Sequence, residues 1–317
     1  MSFWQKLNKP FFVLAPMADV TDAAFRRVIA KYGKPDVMWT EFVSADGLAL
    51  APEEGRKKLL KDLEYSEAER PIVAQFFTSN PENMKKAAEL ARELGFDGID
   101  INMGCPDKSI EKQGAGAAMI KDPQNALEVI EAARSSGLPV SVKTRLGFNK
   151  VEFDWIKTLL SLNLPALTIH LRTRKEMSKV AAHWELAREI VELRNEISPE
   201  TLIIFNGDVK DLSEARLRTE ETGCDGVMLG RAIFGNPYLF SNSHELENDI
   251  SKKLNILVEH TKLFEELLPG KNFAIMKKHF KAYVKDFDGA AELRAILMET
   301  SNPQEVEKAV DNFLNIY

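Results

Sequence analysis

The segment DGIDINMGCPDKSIEKQGAGAAMIKDP, residues 97–123, sets Cys105 between Gly104 and Pro106, three residues after Asn102. A thiol with an ordinary pKa of about 8.5 keeps its proton near neutral pH and can still release it, so Cys105 is suited to proton donation. The Asn102 amide is a hydrogen-bonding group within reach of the same place. The plain alternative is a small apolar filler, a common use of cysteine, and Cys224 in its Gly223-Cys224-Asp225-Gly226 turn fits that description. Cys105 fits it badly, because a polar segment of about fifteen residues follows it, long for a compact domain unless it moves or binds something. With only these two cysteines, no Cys-x-x-Cys and no histidine pair nearby, a disulfide framework, a zinc site and an iron–sulfur cluster are all disfavoured.

The elements that must position these residues follow from periodicity. Eight short apolar runs alternate with amphipathic stretches: 11–17, 37–42, 72–77, 98–103, 140–146, 166–172, 202–208 and 226–230. Helical sequence lies between most of them, including 22–31, 81–94, 123–135, 184–197 and 212–222. This is the pattern of parallel strands joined by crossover helices, and eight units in about 235 residues predict a single (β/α)8 TIM barrel. A doubly wound open sheet would carry a glycine fingerprint after its first strand, and MADVTDAAF has none; Gly114-Ala115-Gly116 lies inside the long loop and reads as hinge material. Four further helical stretches, 249–268, 272–285, 289–299 and 303–316, predict an all-helical C-terminal bundle. The expected domains are 1–244 and 245–317.

In such a barrel function collects at the carboxyl ends of the strands. There the sequence sets Pro16, Met17 and Ala18, then Glu41, Gln75, Asn102 and Cys105, Lys143 and Arg145, His170 and Arg172, Asn206, Gly207 and Asp208, and finally Gly230 and Arg231. Any one has a dull explanation, a core amide or a turn; together they predict a site. Loops after the last two strands commonly hold a phosphate, and Asn206-Gly207-Asp208 with Gly230-Arg231 offers backbone N–H groups and one cation, which suits a phosphomonoester better than a metal. Lys143, His170 and Gln75 would then meet a flat polar ring across the mouth: two groups to neutralise an anionic reduced flavin, one to pair with its pyrimidine edge.

The segments LAPMADVTDAAFR, INMGCPDK, GAGAAMIKDP, VSVKTRLGF, IHLRTR, FNGDV, GVMLGRAIFGNPYLF and MKKHFKAYVKDFDGAAELRAIL resemble, in order and spacing, the tRNA-dihydrouridine synthase family. The resemblance covers nearly the whole chain, and Asn-Met-Gly-Cys-Pro is its most specific part. It implies reduction of a particular tRNA uridine to 5,6-dihydrouridine, with FMN as cofactor and NADPH as reductant. It assigns FMN contacts to Pro16, Met17, Ala18, Gln75, Lys143, His170, Asn206, Gly207, Asp208, Gly230 and Arg231, the general acid to Cys105, and the substrate side to Asn102 and Arg172. Two departures bear on the substrate-facing loop: Leu171 stands where many members have Gly, and KEMSKVAAHWEL replaces a Tyr-x-Gly-like sequence.

The formal net charge of -6 means that RNA binding must come from a local patch. Five lysines and His279 fall between Lys271 and Lys285 with no acidic residue, so Lys277, Lys278 and His279 are the expected RNA contacts; a solvated helix face is the alternative. The run Phe11 to Met17 is too short for a membrane span and leads into Ala18-Asp19 rather than a cleavage site. We expect a cytoplasmic monomer with no metal and no membrane contact. The rival readings are a small-molecule FMN barrel, such as a dihydroorotate dehydrogenase-like enzyme or an ene-reductase, and a noncatalytic RNA-binding protein on the same fold.

Overall fold

The computed structural model describes residues 2–241 and 249–316. Eight parallel strands begin at or beside the expected residues: β1 Phe11–Leu14, β2 Met38–Ser44, β3 Ile72–Phe77, β4 Gly98–Met103, β5 Val140–Arg145, β6 Ala166–His170, β7 Leu202–Asn206 and β8 Gly226–Leu229. They run in the order β1-β8-β7-β6-β5-β4-β3-β2, the expected TIM barrel. At the remaining seam, between β1 and β2, Asp36 takes the place of a ladder. Its N–H donates to Phe12 O (3.0 Å), and its Oδ2 accepts from Phe12 N (2.7 Å).

Alternate residues of each strand face the barrel interior, and their character changes along the axis. At the amino end Phe11, Val13, Trp39, Val73, Ala166, Leu202, Ile204 and Met228 form one apolar cluster, which Trp4 of the short N-terminal helix Phe3–Lys6 plugs from below. Further along the strands, toward their carboxyl ends, stand Gln75, Asn102, Lys143, His170 and Asn206. The interior therefore gives packing energy at one end and polar side chains at the other. Outside the sheet, helices Ala23–Tyr32, Pro81–Glu93, Pro123–Arg134, Ala187–Ile197 and Leu212–Thr222 bury their apolar faces in the second core layer or in the bundle. Asp22, Asn80, Asp122 and Asp211 cap four of them by accepting backbone N–H groups.

The C-terminal helices Ile250–Leu267, Lys277–Tyr283, Ala290–Glu299 and Pro303–Leu314 form the expected bundle. It borrows a barrel helix for its core: Ala24 and Val28 pack with Leu254, Leu257, Phe264, Phe280 and Tyr283. The expected division at 244/245 lies outside the described residues. The other face of that barrel helix is fixed by Arg26, whose Nε meets Glu69 Oε2 at 2.7 Å with both side chains fully buried.

Two loops shape the mouth. After Cys105, residues expected to be a moving cover are docked: Ala117, Met119 and Ile120 of the turn Gly116–Lys121 lie in the main core, and Ala117 N donates to Cys105 O (2.9 Å). Gly116 has φ +60°, and a Cβ there would stand 2.8 Å from Cys105 O, so glycine serves close approach rather than a hinge. After β6, residues 173–183 fold back across the mouth. Arg145 Nη1 donates to Thr173 O and Met177 O, Arg172 Nε donates to Val180 O, and Arg174 pairs with Glu111. His183 joins the two acids at the base of this segment, Nε2 to Glu176 (3.0 Å) and Nδ1 to Glu185 (2.7 Å).

Breaking the buried pair on one side strands a charge, so Glu69→Ala is expected to cost about 3–5 kcal/mol in denaturant unfolding, and Arg26→Met/Glu69→Leu less than the sum of the two single variants. Hydrogen bonds to Glu176 and Glu185 raise the pKa of His183 above its ordinary 6.5. Its contribution is therefore complete below that value and lost as pH rises through the raised one. Amide exchange across 174–183, corrected for intrinsic rates, should be faster at about pH 8.5 than at about pH 6, and His183→Gln should abolish the difference.

Candidate active site

A pocket of about 230 Å3 opens at the carboxyl ends of the strands, and its walls come from β1, β5, β6, β7 and β8 and the loops that follow them. Pro16, Met17, Lys143, His170, Arg172, Asn206, Gly207, Asp208, Gly230 and Arg231 line it, with Ser178 from the covering segment. Ala18 is exposed in the turn after β1, and Gln75 is buried, in register with Asp100 and accepting from Asn102 Nδ2 through Oε1. The turn Asn206-Gly207-Asp208 is set by Asn206 Nδ2, which donates to Met228 O (2.7 Å), and by positive φ at Gly207 and Asp208. Trp184 Nε1 donates to Gly207 O (2.9 Å), and a Cβ at Gly207 would lie 2.6 Å from Ala182 Cβ, so only glycine fits under the covering segment.

The electrostatics of this pocket are dominated by cations. Lys143, Arg145, Arg172 and Arg231 converge on His170, and Asp208 is the acid among them, paired with Arg172 and with Arg231 (2.7 Å). Arg172 Nη1 lies 3.1 Å from His170 Nε2. Guanidinium only donates, so Nε2 accepts and the imidazole proton sits on Nδ1. Burial, then the surrounding cations, push the His170 pKa down to about 2. His170 is thus a neutral donor, not the second positive charge expected from sequence. Lys143 makes no hydrogen bond or ion pair among the described residues; burial and Arg145 bring its pKa down to about 8, against the pull of Asp100 and Cys105.

Cys105 is held beside this cluster by backbone bonds. Asn102 Oδ1 accepts from Gly104 N (3.1 Å) and Cys105 N (2.9 Å), and Arg145 Nε donates to Gly104 O (2.7 Å). Phe42, Phe77, Ile110 and Ala115 pack around the thiol. Burial raises its pKa, with the Asp107 backbone N–H, Arg145 and Lys143 acting the other way, so the group is a protonated thiol at neutral pH. Cys224 is buried, donates to Gly226 O, and is pushed up to about 11 by burial.

Several expected substrate residues are placed differently. Asn102 is buried, with its Oδ1 on the cysteine turn and one Nδ2 hydrogen on Gln75 Oε1 (3.1 Å). Arg172 is buried and held through all three of its nitrogens by Val180 O, His170 and Asp208, so it fastens the covering segment. His279 is not on an RNA face: it is 1% exposed, packed against Phe25 (5.2 Å) and edge-on to His260 (4.6 Å), and burial pushes its pKa down to about 3. The reason was present in the sequence, because Met276, His279, Phe280 and Tyr283 form one helical stripe, and all four are buried. Lys278 is exposed and Lys277 half-buried. Lys271, from the same lysine run, bridges Glu41 in the middle of β2 (3.0 Å) and Asp62 (2.8 Å). Asp100, Arg145 and Ser178 are parts of the site that sequence reasoning passed over or left without a role; a charged residue in the middle of an otherwise apolar strand was the signal for Asp100.

The family model for dihydrouridine synthases matches residues 13–316. The chain is 42% identical over 320 residues to the probable tRNA-dihydrouridine synthase 2 of Bacillus subtilis (strain 168), covering 100% of this chain and 98% of that protein. It is 42% identical over 316 residues to the probable tRNA-dihydrouridine synthase of Staphylococcus aureus (strain MRSA252), covering 98% and 95%. Among solved structures it is similar to a 2-naphthoyl-CoA reductase complex (TM-score 0.53, 12% identity, 73% of this chain and 49% of that one) and to histamine dehydrogenase from Rhizobium sp. 4-9 (TM-score 0.52, 12% identity, 80% and 49%). These two likenesses concern the barrel fold alone. With a cationic barrel mouth, a cysteine turn beside it and a match along nearly its whole length, the chain belongs to the dihydrouridine synthase family of flavin-dependent oxidoreductases.

Proposed function

We propose that this protein reduces the 5,6 double bond of a uridine in tRNA, with FMN as its flavin, NADPH as the source of electrons and Cys105 as the proton donor. The observation that carries the reading is a thiol kept protonated by burial, next to an ion-unpaired Lys143 at the mouth of the barrel. The donor set fits the cofactor. Arg231, 70% exposed on its side chain, and the turn at Asn206, Gly207, Asp208 and Gly230 suit a phosphate, while Lys143 and the Nδ1–H of His170 suit an electron-rich ring. Pro16, Met17 and Ala18 would contact the ring from the first loop, and Gln75 would offer its second amide hydrogen. When bound, the flavin supplies the hydride for C6 of the uracil.

The protein's own part is to supply the proton for C5 and to accommodate charge that develops toward O4. Cys105 gives the proton from Sγ. Lys143 and the second Nδ2 hydrogen of Asn102 are the groups available to offset that charge. Arg172, carrying the covering segment, limits solvent at the mouth. On the RNA side, a uridine must leave its stack to reach this depth, and a local positive surface from Lys277 and Lys278 would hold the backbone while it does.

Cys105→Ala is expected to retain flavin, seen by absorbance of the purified protein, and to lower the rate of dihydrouridine formation about 10²–10⁴-fold. Undiminished dihydrouridine in tRNA from cells carrying only this variant would remove the proposed acid. Lys277→Glu/Lys278→Glu should keep the flavin, weaken tRNA binding most at low salt, and flatten the slope of log affinity against log salt by about one for each phosphate no longer held. Affinity equal to the parent at low salt would move the RNA surface elsewhere.

A further inference from the structure

Asp100 lies in the middle of β4, 1% exposed, with its side chain inside the barrel. Its lateral partners in the sheet are Gln75 on β3 and Ser141 on β5, and both bond to it: Gln75 Nε2 donates to Oδ2 (2.6 Å) and Ser141 Oγ donates to Oδ1 (2.6 Å). From Gln75 the chain of bonds continues toward the mouth. Gln75 Oε1 accepts from Asn102 Nδ2, and Asn102 Oδ1 accepts from the backbone N–H groups of Gly104 and Cys105. Burial pushes the Asp100 pKa up to about 6, opposed by Ser141, Gln75 and Lys143, so it is a carboxylate at neutral pH.

A primary amide can be turned end for end at little cost in shape, so two amides in series, Gln75 and Asn102, have two senses. An ionised carboxylate accepts and never donates. It therefore compels Gln75 to present NH2 downward and C=O upward. That in turn compels Asn102 to present NH2 to Gln75 and C=O to the cysteine turn. Reversed, Asn102 would point an NH2 at two N–H groups, and the turn carrying Cys105 would lose both bonds.

We propose that Asp100 is the positioning residue of this active site, setting the direction of the amide chain that holds Cys105 at the barrel mouth. The inference rests on the reading of Cys105 as the proton donor for its functional meaning, though not for its geometry. Asp100 is buried and does not line the pocket. It acts through Gln75 and Asn102, and the same constraint leaves one amide hydrogen of each facing away from the chain.

The test exchanges the charge along the chain. Asp100→Asn removes the fixed acceptor. Asn102→Asp keeps the acceptor for the cysteine turn but sets a carboxylate oxygen against Gln75 Oε1. In the double variant Asp100→Asn/Asn102→Asp, Gln75 can turn over, give its NH2 to the new carboxylate and accept from the new amide, while Ser141 still donates below. Flavin-loaded proteins are treated with iodoacetamide, and labelling at Cys105 is followed by site-resolved mass spectrometry, alongside thermal unfolding. Each single variant should label about tenfold faster than the parent, the factor that one hydrogen bond is worth, and the double variant should return to within about threefold of the parent. A generic packing role for Asp100 predicts no such rescue. A double variant that labels as fast as the singles, or an Asp100→Asn protein that labels at the parental rate, overturns the proposal. If Asp100→Asn does not fold, recovery of folded protein in the double variant supports it, and a double variant that also fails to fold overturns it. Labelling does not depend on dihydrouridine formation, so failure of Cys105 as the acid would appear separately, in Cys105→Ala.

Discussion

The two hydrogen bonds that Asn102 Oδ1 accepts from Gly104 and Cys105 N–H convert the end of a barrel strand into a fixed support for a thiol. A strand that simply continued would carry residue 105 away from the mouth, and a free loop would spread it over many positions. The bonds turn the chain tightly, and Gly104 makes the turn possible, since a Cβ there would lie 3.2–3.4 Å from the Thr144 backbone of β5. Arg145 then takes Gly104 O and ties the same turn to the covering segment at Thr173 and Met177. Both loops of the mouth thus hang on residues of strands β4 and β5, and a site placed on regular strands has firmer supports than one placed on loops.

Charge decides what this mouth can accept. Four cations within one small region would repel one another, and Asp208 relieves two of them by pairing with Arg172 and Arg231. His170 responds by staying neutral, since a fifth positive charge in a buried place would cost more than the hydrogen bond it would gain. Neither Lys143 nor Arg145 has an acid paired with it among the described residues; Arg145 is bonded to three backbone carbonyls, whereas Lys143 has no such partner and lies close enough to Cys105 for each to alter the other's ionisation. An anionic or electron-rich ligand completes such an arrangement, whereas a metal ion would be repelled by it.

Strand starts, crossover helices and the appended bundle were legible in the sequence because they rest on local periodicity and on turn residues. So was the set of polar residues at strand ends, including the wall of the pocket. What sequence left hidden depends on partners remote in the chain. Asp36 closes the seam to Phe12, Trp4 plugs the base, and helices Ala45–Leu50 and Glu53–Asp62 occupy the space before β3 without having been singled out. Gly114 and Gly116 suggested a hinge, yet the residues after them, Ala117, Met119 and Ile120, had the apolar character of core and became core. His279 was grouped with its lysine neighbours by sequence distance, when its helical neighbours Met276, Phe280 and Tyr283 were the better guide.

The lysine run also divides in a way that links the bundle to the mouth of the barrel. Lys271 leaves the run to sit between Glu41 and Asp62, and Glu41 accepts from the N–H of Asp19, the residue that closes the turn after Pro16, Met17 and Ala18. Burial raises the Glu41 pKa while Lys271 opposes it, so the lysine helps to keep a carboxylate tolerable within β2. A load on the bundle that shifted Lys271 would take an ion pair from Glu41, whose carboxylate supports the first loop of the pocket through Asp19 N–H. The bundle is therefore joined to the mouth in two different ways: an apolar one through Ala24 and Val28, which fixes its orientation, and an ionic one through Lys271, which reaches the loop that borders the pocket.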